Sequence, residues 1–210
     1  NRRSDKYGGS RENRARFGLE ILKEVRRTVG DDFPIGYRLT AEEYIDDGLM
    51  IEDAVDFCQR LADNGVDLID VSGGIYESFH LIIQGAEAPK GGFVQNAATI
   101  KKAVGEKVPV SVAQKLSDPA FANEVMEREG IDFISLTRAF HADPHYARKI
   151  RENRAQDVLP CIACHHCTNL LELNEVVACA ANPHSTYERR RTIHPVKKGR
   201  KIMVVGGGPA

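Results

Sequence analysis

Apolar residues recur at helical spacing from Ser10 onward: Phe17, Leu19, Ile21, Leu22 and Val25 fall near one face, with Ser10 placed to cap and Gly30 to stop the helix. Pro34 to Leu39 then reads as a short strand, passing through Arg38-Leu39-Thr40. The alternation repeats three times. A helix over 51–64, ended by Gly65, precedes a strand over Val66–Val71. A helix over 94–104 precedes a strand over Val108–Val112. A helix over Pro119–Glu129 precedes a strand over Asp132–Leu136, and a last helix runs from about Pro144 to Asn153. Short strands alternating with helices predict parallel pairing through right-handed crossovers, and the strands read as apolar on both faces.

That α/β pattern fits an open doubly wound sheet or a (β/α)8 barrel, and in both the chemistry sits at the C-terminal strand ends. Here those ends carry Arg38, then Ser72 to Glu77, then Gln114 and Lys115, then Thr137 and Arg138. Cations at three of four equivalent places predict an anionic ligand such as a phosphate. The loop from Gly73 to Gly92, with Tyr76, Glu77 and His80, is long for a connector and predicts a segment facing the substrate.

Composition narrows the partners. A net charge of -1 with 28% charged residues provides no basic field for nucleic acid or an anionic membrane. No apolar run approaches the roughly 20 residues that span a bilayer, and no signal peptide is visible. With the clustered thiols, this predicts a reducing cytoplasm. The absence of an initiator Met, and a final stretch in which a glycine-rich motif has only begun, predict a piece of a longer protein.

The clustered thiols are Cys161, Cys164 and Cys167, followed by Cys179. A Cys-x2-Cys-x2-Cys run plus a distant fourth thiolate suits a cubane iron-sulfur cluster. Four thiolates also suit structural zinc, though zinc sites more often present two separated Cys-x2-Cys pairs. Three cysteines in one short loop are poorly placed to pair as disulfides. Cys58, on an apolar helix face, reads as a packing residue. His165 and His166 are not needed as ligands, and Glu188 to Arg191 reads as a solvated linker. Lys201 to Ala210 has the look of a first Rossmann βα turn, with Gly206 and Gly208 as its first two glycines.

Several strings resemble a known family. Asn1-x-Arg3-x-Asp5-x-Tyr7-Gly8-Gly9-Ser10, then Gly36 to Thr40, Ser117-Asp118-Pro119, Thr137-Arg138 and Ala142-Asp143-Pro144 occur in the order found in the old yellow enzyme family of FMN-dependent oxidoreductases. The cysteine run and the glycine-rich end resemble its multidomain branch, of the 2,4-dienoyl-CoA reductase, trimethylamine dehydrogenase and enoate reductase type. The resemblance implies strands five to eight of a (β/α)8 barrel over 1–155, a [4Fe-4S] segment over 156–198, and the start of an FAD/NAD(P)-binding domain over 199–210. It implies that Arg38 contacts the N1/O2 edge of FMN, that Gln114, Lys115, Thr137 and Arg138 hold its phosphate, and that the four cysteines ligate the cluster.

The chemistry so implied is reduction of a C=C bond conjugated to a carbonyl, as in an enoate or acyl-CoA. Electrons pass from NAD(P)H through FAD and the cluster to FMN, and Tyr76 is a candidate proton donor. Amine dehydrogenation, or a non-catalytic electron-transfer or metal-binding segment, are the alternatives. The chain departs from the family at Gln114 and Thr137, where most members have glycine.

Overall fold

The computed structural model describes residues 3–192 and 194–206. Its centre is a parallel sheet of four strands, β1 (Gly36–Thr40), β2 (Leu68–Ser72), β3 (Val110–Val112) and β4 (Phe133–Ile134), hydrogen-bonded in the order β1-β2-β3-β4. Helix α1 (Arg11–Val29) precedes β1, α2 (Ile51–Asp63) precedes β2, α3 (Phe79–Ile82) and α4 (Val94–Val104) precede β3, and α5 (Pro119–Glu129) precedes β4. Each crossover steps to the same side, without the reversal of strand order that defines a doubly wound sheet.

Local chemistry explains the helix bounds. Ser10 Oγ accepts from Asn13 N at 3.2 Å and caps α1, and Asp118 Oδ1 accepts from Ala120 N at 3.1 Å to cap α5, whose first residue is Pro119. Gly130 closes α5 with a φ of 67° that L side chains resist.

The core lies between one face of the sheet and the helices. Leu39, Ile69, Val71, Val110 and Val112 pack there with Cys58 and Leu61 of α2, Ala97 and Ile100 of α4, and Val125 of α5. Burying each large aliphatic side chain contributes roughly 1.5–3 kcal/mol. The opposite face corrects the expectation of strands apolar on both sides: Arg38, Asp70 and Ser111 lie in register across β1, β2 and β3 and bond to one another instead of packing on an apolar layer.

Other expectations also change in detail. The predicted strand at Val66 begins at Leu68, because Val66 N still bonds Leu61 O at the end of α2. The strand predicted over 132–136 holds two residues. A short helix unforeseen in the sequence, α6 (Arg138–Ala142), follows it, and the predicted 144–153 helix is confined to α7 (Tyr146–Arg151). Beyond α7 the described residues are irregular except for a 3-10 turn at Ala155–Asp157 and α8 (His166–Glu172).

Lys201 to Gly206 forms no strand. It has no neighbouring ladder to join, and Ile202 to Val205 are exposed. Gly208 lies outside the described residues. Among the described residues no helix is long and apolar enough to cross a membrane.

Candidate functional site

A cavity of about 440 Å³ opens over the C-terminal ends of the four strands, within the size range of small-molecule sites. Arg38, Gln114, Lys115, Thr137 and Arg138, the residues singled out at the strand ends, all line it, together with Cys161 and Cys167. Ile82, Ile83, Phe93, Leu116 and Leu136 supply an apolar wall.

Arg38 projects from β1 and donates to Asp70 Oδ2 at 2.6 Å and to Ser72 Oγ at 3.2 Å. Asp70 Oδ1 accepts from Ser111 Oγ at 2.6 Å and from Ser135 Oγ at 2.7 Å. One carboxylate thereby ties together side chains from β1, β2, β3 and the residue just past β4.

Gln114 and Lys115 follow β3 with φ of 92° and 52°, a region that favours glycine. At Gln114 the backbone takes a conformation that favours glycine while the residue carries a side chain. That side chain is folded aside: Nε2 donates to Ile82 O at 2.7 Å, and Oε1 accepts from Arg138 Nη2 at 3.2 Å. Thr137, the other departure from glycine, has a φ of −121°, outside the left-handed region that favours glycine.

Arg138 Nη1 also donates to Gln84 O at 3.0 Å, and Lys115 Nζ donates to Gly85 O at 2.6 Å, to Ala86 O at 3.2 Å and to Ala88 O. Among the described residues no carboxylate pairs with Lys115 or Arg138; their partners are neutral carbonyls and an amide. Strand-end cations were legible in the sequence. Their partners on the 81–88 segment were not, since backbone carbonyls carry no signature of residue type. Lys90, paired with Asp118 at 2.7 Å, also lines the cavity, from a loop position that no strand pattern marks.

The structure does not bring Tyr76 to the cavity. It is 82% exposed, and its ring stacks on Phe79 at 6.2 Å between centroids. Gly206 is exposed and far along the chain in an irregular stretch.

The cysteine segment hangs from the end of α6. Buried Asp143 accepts the Leu159 N–H at 3.0 Å, just before Cys161, and buried Asn182 donates to His141 O at 3.1 Å, just after Cys179. Thr186 Oγ1 closes the Cys179 arm by donating to Val177 O at 2.6 Å. Ala163 and His165 take left-handed φ of 52° and 63°, which coils the loop tightly between Cys161 and Cys167. Cys161, Cys164, Cys167 and Cys179 are free thiols. No three His, Cys, Asp or Glu side chains among the described residues are drawn together as a set for a metal ion.

Residues 1–157 match the NADH:flavin oxidoreductase / NADH oxidase family. Over its whole length the chain is 36% identical to an NADH oxidase of Thermoanaerobacter brockii and 35% identical to an N,N-dimethylglycine/sarcosine dehydrogenase of Chromohalobacter salexigens, covering 32% and 31% of those proteins. It thus spans about a third of the curated relatives it matches. Among solved structures, a 2-naphthoyl-CoA reductase in complex with 2-naphthoyl-CoA superposes with a TM-score of 0.85 at 34% identity, over 94% of this chain and 30% of that one. A family match over three quarters of the chain makes this chain a member of the NADH:flavin oxidoreductase / NADH oxidase family, in its multidomain branch resembling old yellow enzyme.

Proposed function

We propose that this chain is the second half of an FMN-binding (β/α)8 barrel (1–155) with a [4Fe-4S] segment (156–198) and the start of an FAD/NAD(P)-binding domain (199–210). The complete protein is proposed to reduce the activated C=C bond of an α,β-unsaturated carbonyl compound or acyl-CoA with electrons from NAD(P)H. The observation that carries this is the convergence of Arg38, Gln114, Lys115, Thr137, Arg138, Cys161 and Cys167 on one cavity. Sequential strand order and a polar inner face support the barrel, as do Phe17, Ile21, Val25 and Val29, a stripe on α1 left exposed for a neighbouring helix.

The residues suit FMN. Lys115 and Arg138 now face only neutral acceptors, so a phosphate dianion would be a stronger partner than those they hold. The apolar wall from Ile82 to Leu136 suits a ring system, and Arg38 reaches the same space from β1. When bound, FMN supplies hydride transfer to a conjugated carbon. The four free thiols are the donor set of a cubane cluster, whose contribution when bound is one-electron transfer toward the FMN site. Asp143 and Asn182 hold the two arms that carry those thiols against the barrel end. A reducing compartment, the cytoplasm, goes with this reading, and neither nucleic acid nor membrane is a partner in it.

One observation favours a second reading: the 35% identity to an N,N-dimethylglycine/sarcosine dehydrogenase supports oxidation of an N-methyl amine by the same flavin site. The deciding experiment is an anaerobic absorbance spectrum of the full-length protein with flavin and iron analysis, followed by parallel assays on an enoyl-CoA and an N-methyl amino acid. Flavin bands, about four iron per chain and turnover of the enoyl-CoA are expected. Iron without flavin would defeat the FMN assignment, zinc without iron the cluster, and turnover of the amine alone the choice of substrate.

A further inference from the structure

Arg38, Lys115 and Arg138 line the cavity, and their counter-groups differ. Lys115 and Arg138 meet neutral acceptors, whereas Arg38 is ion-paired to Asp70 at 2.6 Å. Asp70 is no ordinary surface partner. Its side chain is 17% exposed against 58% for Arg38, and both its oxygens are engaged, Oδ2 by Arg38 and Oδ1 by the hydroxyls of Ser111 and Ser135. Those hydroxyls lie 2.6 Å from each other, so the carboxylate is fixed from β3 and from the residue beyond β4. The half-exposed guanidinium is held by this fixed group and by Ser72.

Such a network acts in two ways. It removes rotamer freedom from a long side chain, aiming it into the cavity, and it sets a negative charge against the positive one at the place where Arg38 meets a ligand. From this we infer that Asp70 is a positioning residue that both aims Arg38 and tempers its charge, and thereby sets the reduction potential of the flavin bound beside it. The inference rests on the FMN reading above. Reduction of that flavin takes up two electrons and one proton and leaves one negative charge on the ring. A full positive charge at Arg38 favours the reduced form, and Asp70 offsets that preference.

Asp70→Asn separates charge from pose, because the amide oxygen still accepts a hydrogen bond. In FMN-replete full-length protein, equilibrated anaerobically with a reference dye, the flavin couple of Asp70→Asn is expected to move toward the reduced form by about tenfold, ~30 mV for a two-electron couple. Taking the difference from FMN-depleted protein isolates this centre from the others. Ser111→Ala, which leaves both charges in place, is expected to move the couple by less than about twofold, ~9 mV on the same scale. Should Asp70→Asn fail to fold, Asp70→Thr, which keeps a hydroxyl acceptor, carries the same expectation. A variant that holds FMN with an unmoved couple overturns the inference, as does Ser111→Ala moving it as far as Asp70→Asn. A full-length protein that binds no FMN overturns the flavin reading itself, and this inference with it.

Discussion

Arg138 donates to Gln114 Oε1 at 3.2 Å, joining the segments that follow β3 and β4 across the floor of the cavity. Gln114 makes this contact from a φ of 92°, a conformation that costs a non-glycine residue on the order of 1–3 kcal/mol. Its side chain offsets that cost through Ile82 O and Arg138. Gln114→Ala keeps the strain and loses the side-chain bonds, including one to Leu81 O at 3.3 Å; Gln114→Gly loses the bonds and the strain together. Chemical denaturation is expected to rank the glycine variant above the alanine variant by about 1 kcal/mol. Equal stabilities would mean that the backbone here is not strained.

Lys115 is the second residue whose role the structure sharpens. Its ammonium gathers the carbonyls of Gly85, Ala86 and Ala88, so it holds the 85–88 loop over the strand ends. Lys115→Met is expected to raise amide hydrogen exchange in 83–90 several-fold in the flavin-free protein, at a cost of about 1–2 kcal/mol in stability. Unchanged exchange, with only FMN affinity lowered, would make Lys115 a phosphate ligand and nothing more.

Helices α1 and α5 are readable because their ends are set by residue type: Ser10 and Asp118 cap with side-chain oxygens, Pro119 suits a first helical position, and Gly30 and Gly130 take the positive φ that ends each helix. Helix α6 has five residues and no side-chain cap, so neither periodicity nor punctuation marks it. β4 is shorter than its sequence pattern predicts: Ser135 N still donates to Val112 O at 2.9 Å, but the paired register ends at Ile134, and no feature of the 132–136 run marks that end. The site divides likewise. Lys115 and Arg138 were legible by position after a strand, and Arg38 by its place near the end of one. The Arg38–Asp70–Ser111 row was not, because seeing it requires the register between strands, which a single strand's pattern does not contain.

Cys58 tests the core. It is fully buried between α2 and the sheet, and burial pushes its thiol up to about 12. Iodoacetamide near neutral pH is therefore expected to modify the thiols of the 161–179 segment in metal-free protein and to spare Cys58 until the chain unfolds, since only the thiolate reacts. Cys58→Ser leaves a hydroxyl without a designed partner in an apolar layer and is expected to cost about 1–3 kcal/mol. Rapid native-state labelling of Cys58 would contradict the packing described.

Asp143 predicts how the cysteine segment responds to acid. Burial pushes its carboxyl up, but the Lys149 ammonium at 2.6 Å and the N–H groups of Leu159 and His145, each at 3.0 Å, outweigh that and hold it below the ordinary carboxylate value. A folded pKa below the unfolded one means that the charged form is favoured by folding. The stabilisation is complete above the unfolded value, about 4, and is lost as pH falls below it toward the lower folded value. Asp143→Asn, which removes the charge at every pH, is expected to cost about 2–3 kcal/mol at pH 7 and progressively less below pH ~4. The loss has an address as well as a size. Leu159 N is held by this carboxylate, so exchange protection at Leu159 should fall in Asp143→Asn while the amides of β2 and β3 keep theirs. If protection fell equally in the strands, Asp143 would support the whole sheet; if Leu159 kept its protection, the carboxylate would not be what fastens the cysteine arm to the end of α6.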